Sequence, residues 1–138
     1  MLKSLYCLLL ILCLGACQNP EQQAQEYTTA RQTLTEQELA HPERFVRIIF
    51  EKKRRNLVGK SVVKFRLMNT ATTVTYKDVR VRSLFYQEGK LVANHEDVYD
   101  DVLDPGDDED ETIRYRTPRG TDSVALEFMS AKAERYKH

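Results

Sequence analysis

Ser61-Val62-Val63-Lys64-Phe65-Arg66-Leu67-Met68 and Asp78-Val79-Arg80-Val81-Arg82-Ser83-Leu84-Phe85-Tyr86 decide the fold. In the first, Val63, Phe65 and Leu67 alternate with Lys64, Arg66 and Met68. In the second, Val79, Val81 and Phe85 alternate with Arg80, Arg82 and Tyr86, and Ser83 is the one polar residue in the apolar phase. Side chains of a strand point to opposite faces with period two, so one apolar phase beside one charged phase predicts antiparallel strands buried on a single face.

Other strands follow on either side. Phe45 to Glu51 is β-branched and aromatic. Thr112 to Arg116 alternates Ile113 and Tyr115 with Arg114 and Arg116, and Ser123 to Met129 alternates Val124, Leu126 and Phe128 with Ala125, Glu127 and Met129. Lys90 to Ala93 and Val98 to Val102 are two short candidates. Gln87-Glu88-Gly89-Lys90 reads as a hairpin turn, Asp104-Pro105-Gly106-Asp107 as a type II turn, and Pro118 to Asp122 as the last connection. Short strands separated by turn signals every 8–12 residues or so imply a sandwich or barrel. The predicted core is Val63, Phe65, Leu67, Val79, Val81, Phe85, Leu126 and Phe128.

The turns and strands from Asn69-Thr70 through Tyr76-Lys77-Asp78-Val79, Leu84-Phe85-Tyr86 and Gly89-Lys90-Leu91-Val92 to Val102-Leu103-Asp104-Pro105-Gly106 resemble the FxLYD-type domains. Those are immunoglobulin-like β-sandwiches of bacterial envelope proteins. Gln87 stands where that family commonly has Asp. The resemblance implies an all-β, antiparallel immunoglobulin-like sandwich of about seven strands over residues 43–133, with residues 134–138 as a tail. It brings no catalytic residues.

Ahead of this domain, Lys3 is followed by an apolar run from Leu5 to Leu14 and then by Leu14-Gly15-Ala16-Cys17. A basic start, a short apolar run and small residues mark a secretory signal, here residues 1–16. The run falls short of the roughly 18–20 residues of a membrane span. Its end resembles the bacterial lipobox, which implies lipidation of Cys17, a membrane partner through that anchor, and a cell-envelope location. Gln18 rather than Asp at the next position resembles an outer-membrane passenger. Residues 17–42 read as a flexible polar tether, with at most one helical turn at Thr35-Glu36-Gln37-Glu38 before Pro42.

The chain of 138 residues has 21 basic and 21 acidic side chains, three Cys and three His. Cys7 and Cys13 lie in the signal and Cys17 is the lipidation site, so the folded part has no thiol for a disulfide, a zinc site or thiolate catalysis. Neutral charge and the compartment argue against nucleic acid. His95-Glu96-Asp97-Val98-Tyr99 lacks the second histidine of a zincin motif. No cofactor is expected, and the reading is a binding or assembly-support module rather than an enzyme.

Two charged features remain. Asp100, Asp101, Asp104, Asp107 and Asp108 offer oxygen ligands for calcium, without the spacing of a calcium loop, which makes a calcium-dependent or ligand-processing envelope protein the alternative. Arg80, Arg82, Arg114 and Arg116 lie on outward phases. If their strands pair, the four form one face for an anionic glycan or glycolipid, or for an acidic loop of an envelope protein. Lys52-Lys53-Arg54-Arg55 has two readings, charge offered to anionic lipid headgroups and, preferred, a charged strand end that protects a sheet edge.

Overall fold

The computed structural model describes residues 19–55 and 59–137, so Cys17 lies outside the described residues. The chain divides into two units, residues 1–33 and 34–138. Of the first, residues 19–33 are described, and from Pro20 they lie in a helix, α1, which continues to Ala40 in the second.

Helix α1 (Pro20–Ala40) replaces the expected flexible tether with its single turn. Its start is chemically ordinary: Pro20 stands at the first position, and the Asn19 carbonyl accepts from the Gln22 and Gln23 amides. Gln, Glu, Ala, Arg and Leu then supply helix propensity without an apolar stripe. A short turn, α2 (Pro42–Phe45), leads into the first strand.

Six strands follow: β1 (Val46–Arg55), β2 (Lys60–Asn69), β3 (Val74–Gln87), β4 (Lys90–Tyr99), β5 (Asp108–Arg116) and β6 (Ser123–Arg135). They form two antiparallel sheets, ordered β1-β2-β5 (sheet A) and β4-β3-β6 (sheet B). The architecture is the expected all-β sandwich. In immunoglobulin terms the order matches strands A-B-E against C′-C-F. The count is six because Lys90 to Ala93 and the first two residues of the Val98–Val102 candidate are parts of one strand, β4, while Asp100 to Val102 lie outside the strands. The domain also starts earlier and its last strand runs longer than predicted: the second unit begins at Leu34, and β6 takes in Glu134 and Arg135 of the expected tail.

The core lies between the sheets. Val63, Phe65 and Leu67 of β2 face Val79, Val81 and Phe85 of β3, all of them buried as predicted. Phe65 meets Tyr99 edge-on at 5.5 Å, and Phe85 stacks on Tyr115 at 5.6 Å. Leu126 and Phe128 pack against this core but are only half-buried, because β6 is the edge strand of its sheet. Ser83 is buried in the apolar phase, and its hydroxyl has no hydrogen-bond partner among the described residues.

Buried polar groups hold the ends together. The Asn69 carboxamide donates to the Val74 and Leu103 carbonyls at 2.8 and 2.9 Å and accepts from the Ala71 amide at 2.8 Å. Its backbone accepts from the Gly106 amide and donates to the Asp107 carbonyl. Glu38 of α1 is 1 % exposed, and its carboxylate takes the amides and the hydroxyls of both Thr72 and Thr73. The Tyr76 hydroxyl donates to the Glu38 carbonyl at 2.7 Å. Both predicted turns form. Glu88 and Gly89 have φ of 49° and 75°, a two-residue hairpin loop, and Gly106 at 86° serves the turn closed by the Asp107 amide on Asp104.

Candidate functional site

The outer face of sheet A is set by β2, whose inward residues are Ser61, Val63, Phe65, Leu67 and Asn69. Lys60, Val62, Lys64, Arg66 and Met68 therefore point outward. Directly opposed residues of an antiparallel pair share a face, so the register carries this assignment to both neighbours. Three rows result: Lys60 beside Arg116, Val62 between Arg54 and Arg114, and Lys64 between Lys52 and Thr112. Strand spacing of about 4.8 Å and same-face residue spacing of about 6.6 Å put these cations within an area of roughly 10 by 13 Å.

Lys52, Arg54, Lys60, Lys64, Arg114 and Arg116 are all exposed. Among the described residues, Lys52, Arg54, Lys64, Arg114 and Arg116 have no carboxylate within ion-pair distance. Val62 faces outward yet is 3 % exposed. The long stems of Arg and Lys can cover such a residue while their charged heads stay in water. Lys53, of the opposite phase, turns away and donates to the Thr121 carbonyl at 3.3 Å.

The next row marks a boundary. Arg66 lies between Ile49 and Asp110, and its guanidinium is paired with Glu51, Asp108 and Asp110 at 3.2, 3.1 and 2.8 Å. These acids hold its pKa above the ordinary arginine value, Asp110 first. One face of sheet A is thus basic at the end where β1 and β5 finish and charge-balanced at the other.

The expectation of a single four-arginine face is corrected. Arg80 and Arg82 sit on β3, which pairs with β4 and β6, while Arg114 and Arg116 sit on β5 in the other sheet. On the outer face of sheet B, Arg82 lies in register between Glu96 and Glu127 and donates to Glu96 at 2.9 and 2.6 Å. Arg80 lies 3.9 Å from the same carboxylate. Arg114 and Arg116 instead join the basic run of β1, for which the sequence offers two roles, contact with anionic lipid headgroups and, the preferred one, protection of a sheet edge. Pairing β1 with β2 joins Lys52 and Arg54 to Lys64, and only the β2–β5 pairing adds Arg114 and Arg116. The residues needed were all visible, but strand order was not.

The five aspartates scatter. Asp104 accepts the Thr75 hydroxyl at 2.7 Å, Asp108 pairs with Arg66, and Asp107 bonds through its backbone to Asp104 and Asn69. Among the described residues no group of three or more His, Cys, Asp or Glu is placed to hold a metal ion. Asp100 and Asp101 instead crowd Glu111. Burial first, then a hydrogen bond with Asp101 and the charges of Asp101, Glu109 and Asp100, push the Glu111 carboxyl up to about 7.

An open cavity of about 520 Å³ is lined by Leu39, Thr75, Lys77, Asp104 and Tyr136 among others. Four of its polar groups are engaged in pairs: Thr75 with Asp104, and Lys77 with Glu134 at 2.7 Å. The His95 ring stacks on Tyr115 at 4.5 Å and lies 3.1 Å from Asp97. No described helix is long and apolar enough to cross a membrane.

Comparisons of the chain with family models, with curated proteins and with solved structures found no match.

Proposed function

We propose that this chain is a lipid-anchored protein of the bacterial cell envelope, more at home in the outer than the inner membrane. Its FxLYD-like sandwich serves as a non-catalytic binding or assembly-support module for an anionic envelope component. The anchor rests on Leu14-Gly15-Ala16-Cys17 and the residues before it. The binding reading rests on one observation: three adjacent rows on sheet A gather six cations with no carboxylate in those rows. Guanidinium and ammonium groups displayed on strands suit phosphate and carboxylate partners, an acidic glycan or glycolipid among them.

The experiment is crosslinked recovery of the lipidated protein from its own envelope. Arg54→Glu/Arg114→Glu should lose the partners that the parent chain recovers. Arg80→Glu/Arg82→Glu, on the other sheet, should keep them. The reverse pattern would move the binding face to sheet B. Cys17→Ala should release the protein from the membrane fraction. Processing and membrane retention equal to the parent would refute the anchor.

A further inference from the structure

We propose that the basic end of sheet A seats on the headgroups of an anionic phospholipid bilayer. The proposal rests on the anion-binding reading above and names the partner class.

Three observations favour a lipid surface over a soluble polyanion. First, the six cations stand on a sheet face, not in a cleft: outward residues of adjacent strands meet a plane together. Second, an apolar side chain stands at the border of this patch. Ile49 shares the outer face in the row beside Lys64 and is 42 % exposed. Interfacial attachment grows with apolar area buried at the headgroup boundary together with attraction to anionic lipid. Third, the charge of the face is graded along the strands. The rows of Lys60, Val62 and Lys64 are basic, and the rows beyond hold Asp110 and Asp108. A negative surface attracts the basic end and not the charge-balanced one, so it orients the domain as well as holding it.

The grading also explains why Arg66 belongs to the boundary and not to the patch. Its charge is already matched by Glu51, Asp108 and Asp110. Lys52, Arg54, Lys64, Arg114 and Arg116 bring a net positive field with a reach of about 8 Å at physiological salt. That reach is enough for residues lying against headgroups and too short for a domain held well away from them.

The test uses the full processed chain carrying Cys17→Ser, so that no acyl chain contributes. Its co-sedimentation is measured with vesicles of phosphatidylglycerol and phosphatidylcholine, and with vesicles of phosphatidylcholine alone. The parent should bind the anionic vesicles, release them at high salt and ignore the neutral ones. Lys52→Glu/Arg114→Glu should lower partitioning by roughly thirtyfold or more, the size expected when two charges beside an anionic surface are lost. The milder Lys64→Gln/Arg116→Gln should weaken it as well, which guards against an effect of misfolding in the first pair. Arg80→Glu/Lys90→Glu carries the same change in net charge and should bind as the parent does. Ile49→Ser should weaken binding without changing its salt dependence. Equal binding to both kinds of vesicle, or equal loss in the sheet B control, overturns the proposal. Soluble polyphosphate is the discriminating probe. If the parent binds it through the same cations but does not bind vesicles, the anion-binding reading stands and the lipid partner falls. If it binds neither, both fall.

Discussion

Glu38 and Glu111 are both carboxylates withdrawn from water, and their surroundings treat them in opposite ways. Glu38 is the more buried, and burial alone would push its carboxyl up. The hydroxyl and amide of Thr73 and the amide and hydroxyl of Thr72 outweigh that and hold its pKa below the ordinary value. Glu111 keeps partial access to solvent but faces Asp101, Glu109 and Asp100, and its pKa rises to about 7. What a buried acid does is decided less by depth than by whether donors or other acids surround it. At neutral pH the first stabilises the fold as an anion, and the second opposes it once ionised.

Glu38→Ala tests that contrast most severely. It leaves the Thr72 and Thr73 amides without partners in a part-buried setting and removes charge-assisted bonds, so it should cost about 2–3 kcal/mol in denaturant unfolding. A loss no larger than that of an exposed substitution would show that the clamp is replaceable by water.

Glu111→Gln should act in the other direction. The folded pKa of Glu111 lies above its unfolded value, so its favourable contribution is complete below about pH 4.5 and fades as pH rises through about 7. The variant should gain about 1 kcal/mol at pH 8 after allowance for solvent screening, and little at pH 5. Glu38 imposes the opposite slope, since its contribution is present above about pH 4.5 and is lost as pH falls through its lowered folded pKa. Stability of the parent should therefore peak between these two windows, near pH 5, and melting scans across pH should find the summit there. A maximum at pH 8 would contradict the crowding of Glu111.

The smallest effect sharpens the assignment of cause. Asp101→Asn removes one neighbour's charge and should lower the Glu111 pKa part of the way toward its ordinary value, visible in the carboxyl titration by NMR. Thermal stability at pH 5 should barely change, within the roughly 0.5 kcal/mol usual for exposed sites. An unshifted Glu111 would make burial alone responsible.

Period-two alternation made β2, β3, β5 and β6 legible, and the turn residues at Gly89 and Gly106 placed two connections correctly. Strand β4 was read as two fragments because His95 and Asp97 occupy its half-buried phase, where they satisfy each other and the ring stacks on Tyr115. Helix α1 left no periodic trace, since its exposed turns bury nothing that would demand an apolar stripe. Glu38 was invisible for a related reason: a lone acid is core only when donors converge on it, and Thr72 and Thr73 lie more than thirty positions away. For the basic face, alternation told correctly that Arg80, Arg82, Arg114 and Arg116 point outward. It said nothing about which strands are neighbours, and that is what separates Arg82, bridged to Glu96, from Arg114, which joins Arg54 and Lys52.

The Asn69 side chain has a consequence on the timescale of amide exchange. Ala71 and Gly106 stand outside the strands, where protons are ordinarily lost through local fraying. Here the Ala71 amide points at the Asn69 carboxamide and the Gly106 amide at the Asn69 carbonyl, while the same carboxamide holds Val74 and Leu103. The Gly106 proton is freed only when its segment leaves Asn69, far back in the chain, and the Ala71 proton only when the carboxamide that also holds Leu103 lets go. These two turn amides should therefore exchange as slowly as those of β2 and β3 and behave as reporters of global opening, in places where a loop would be expected to breathe.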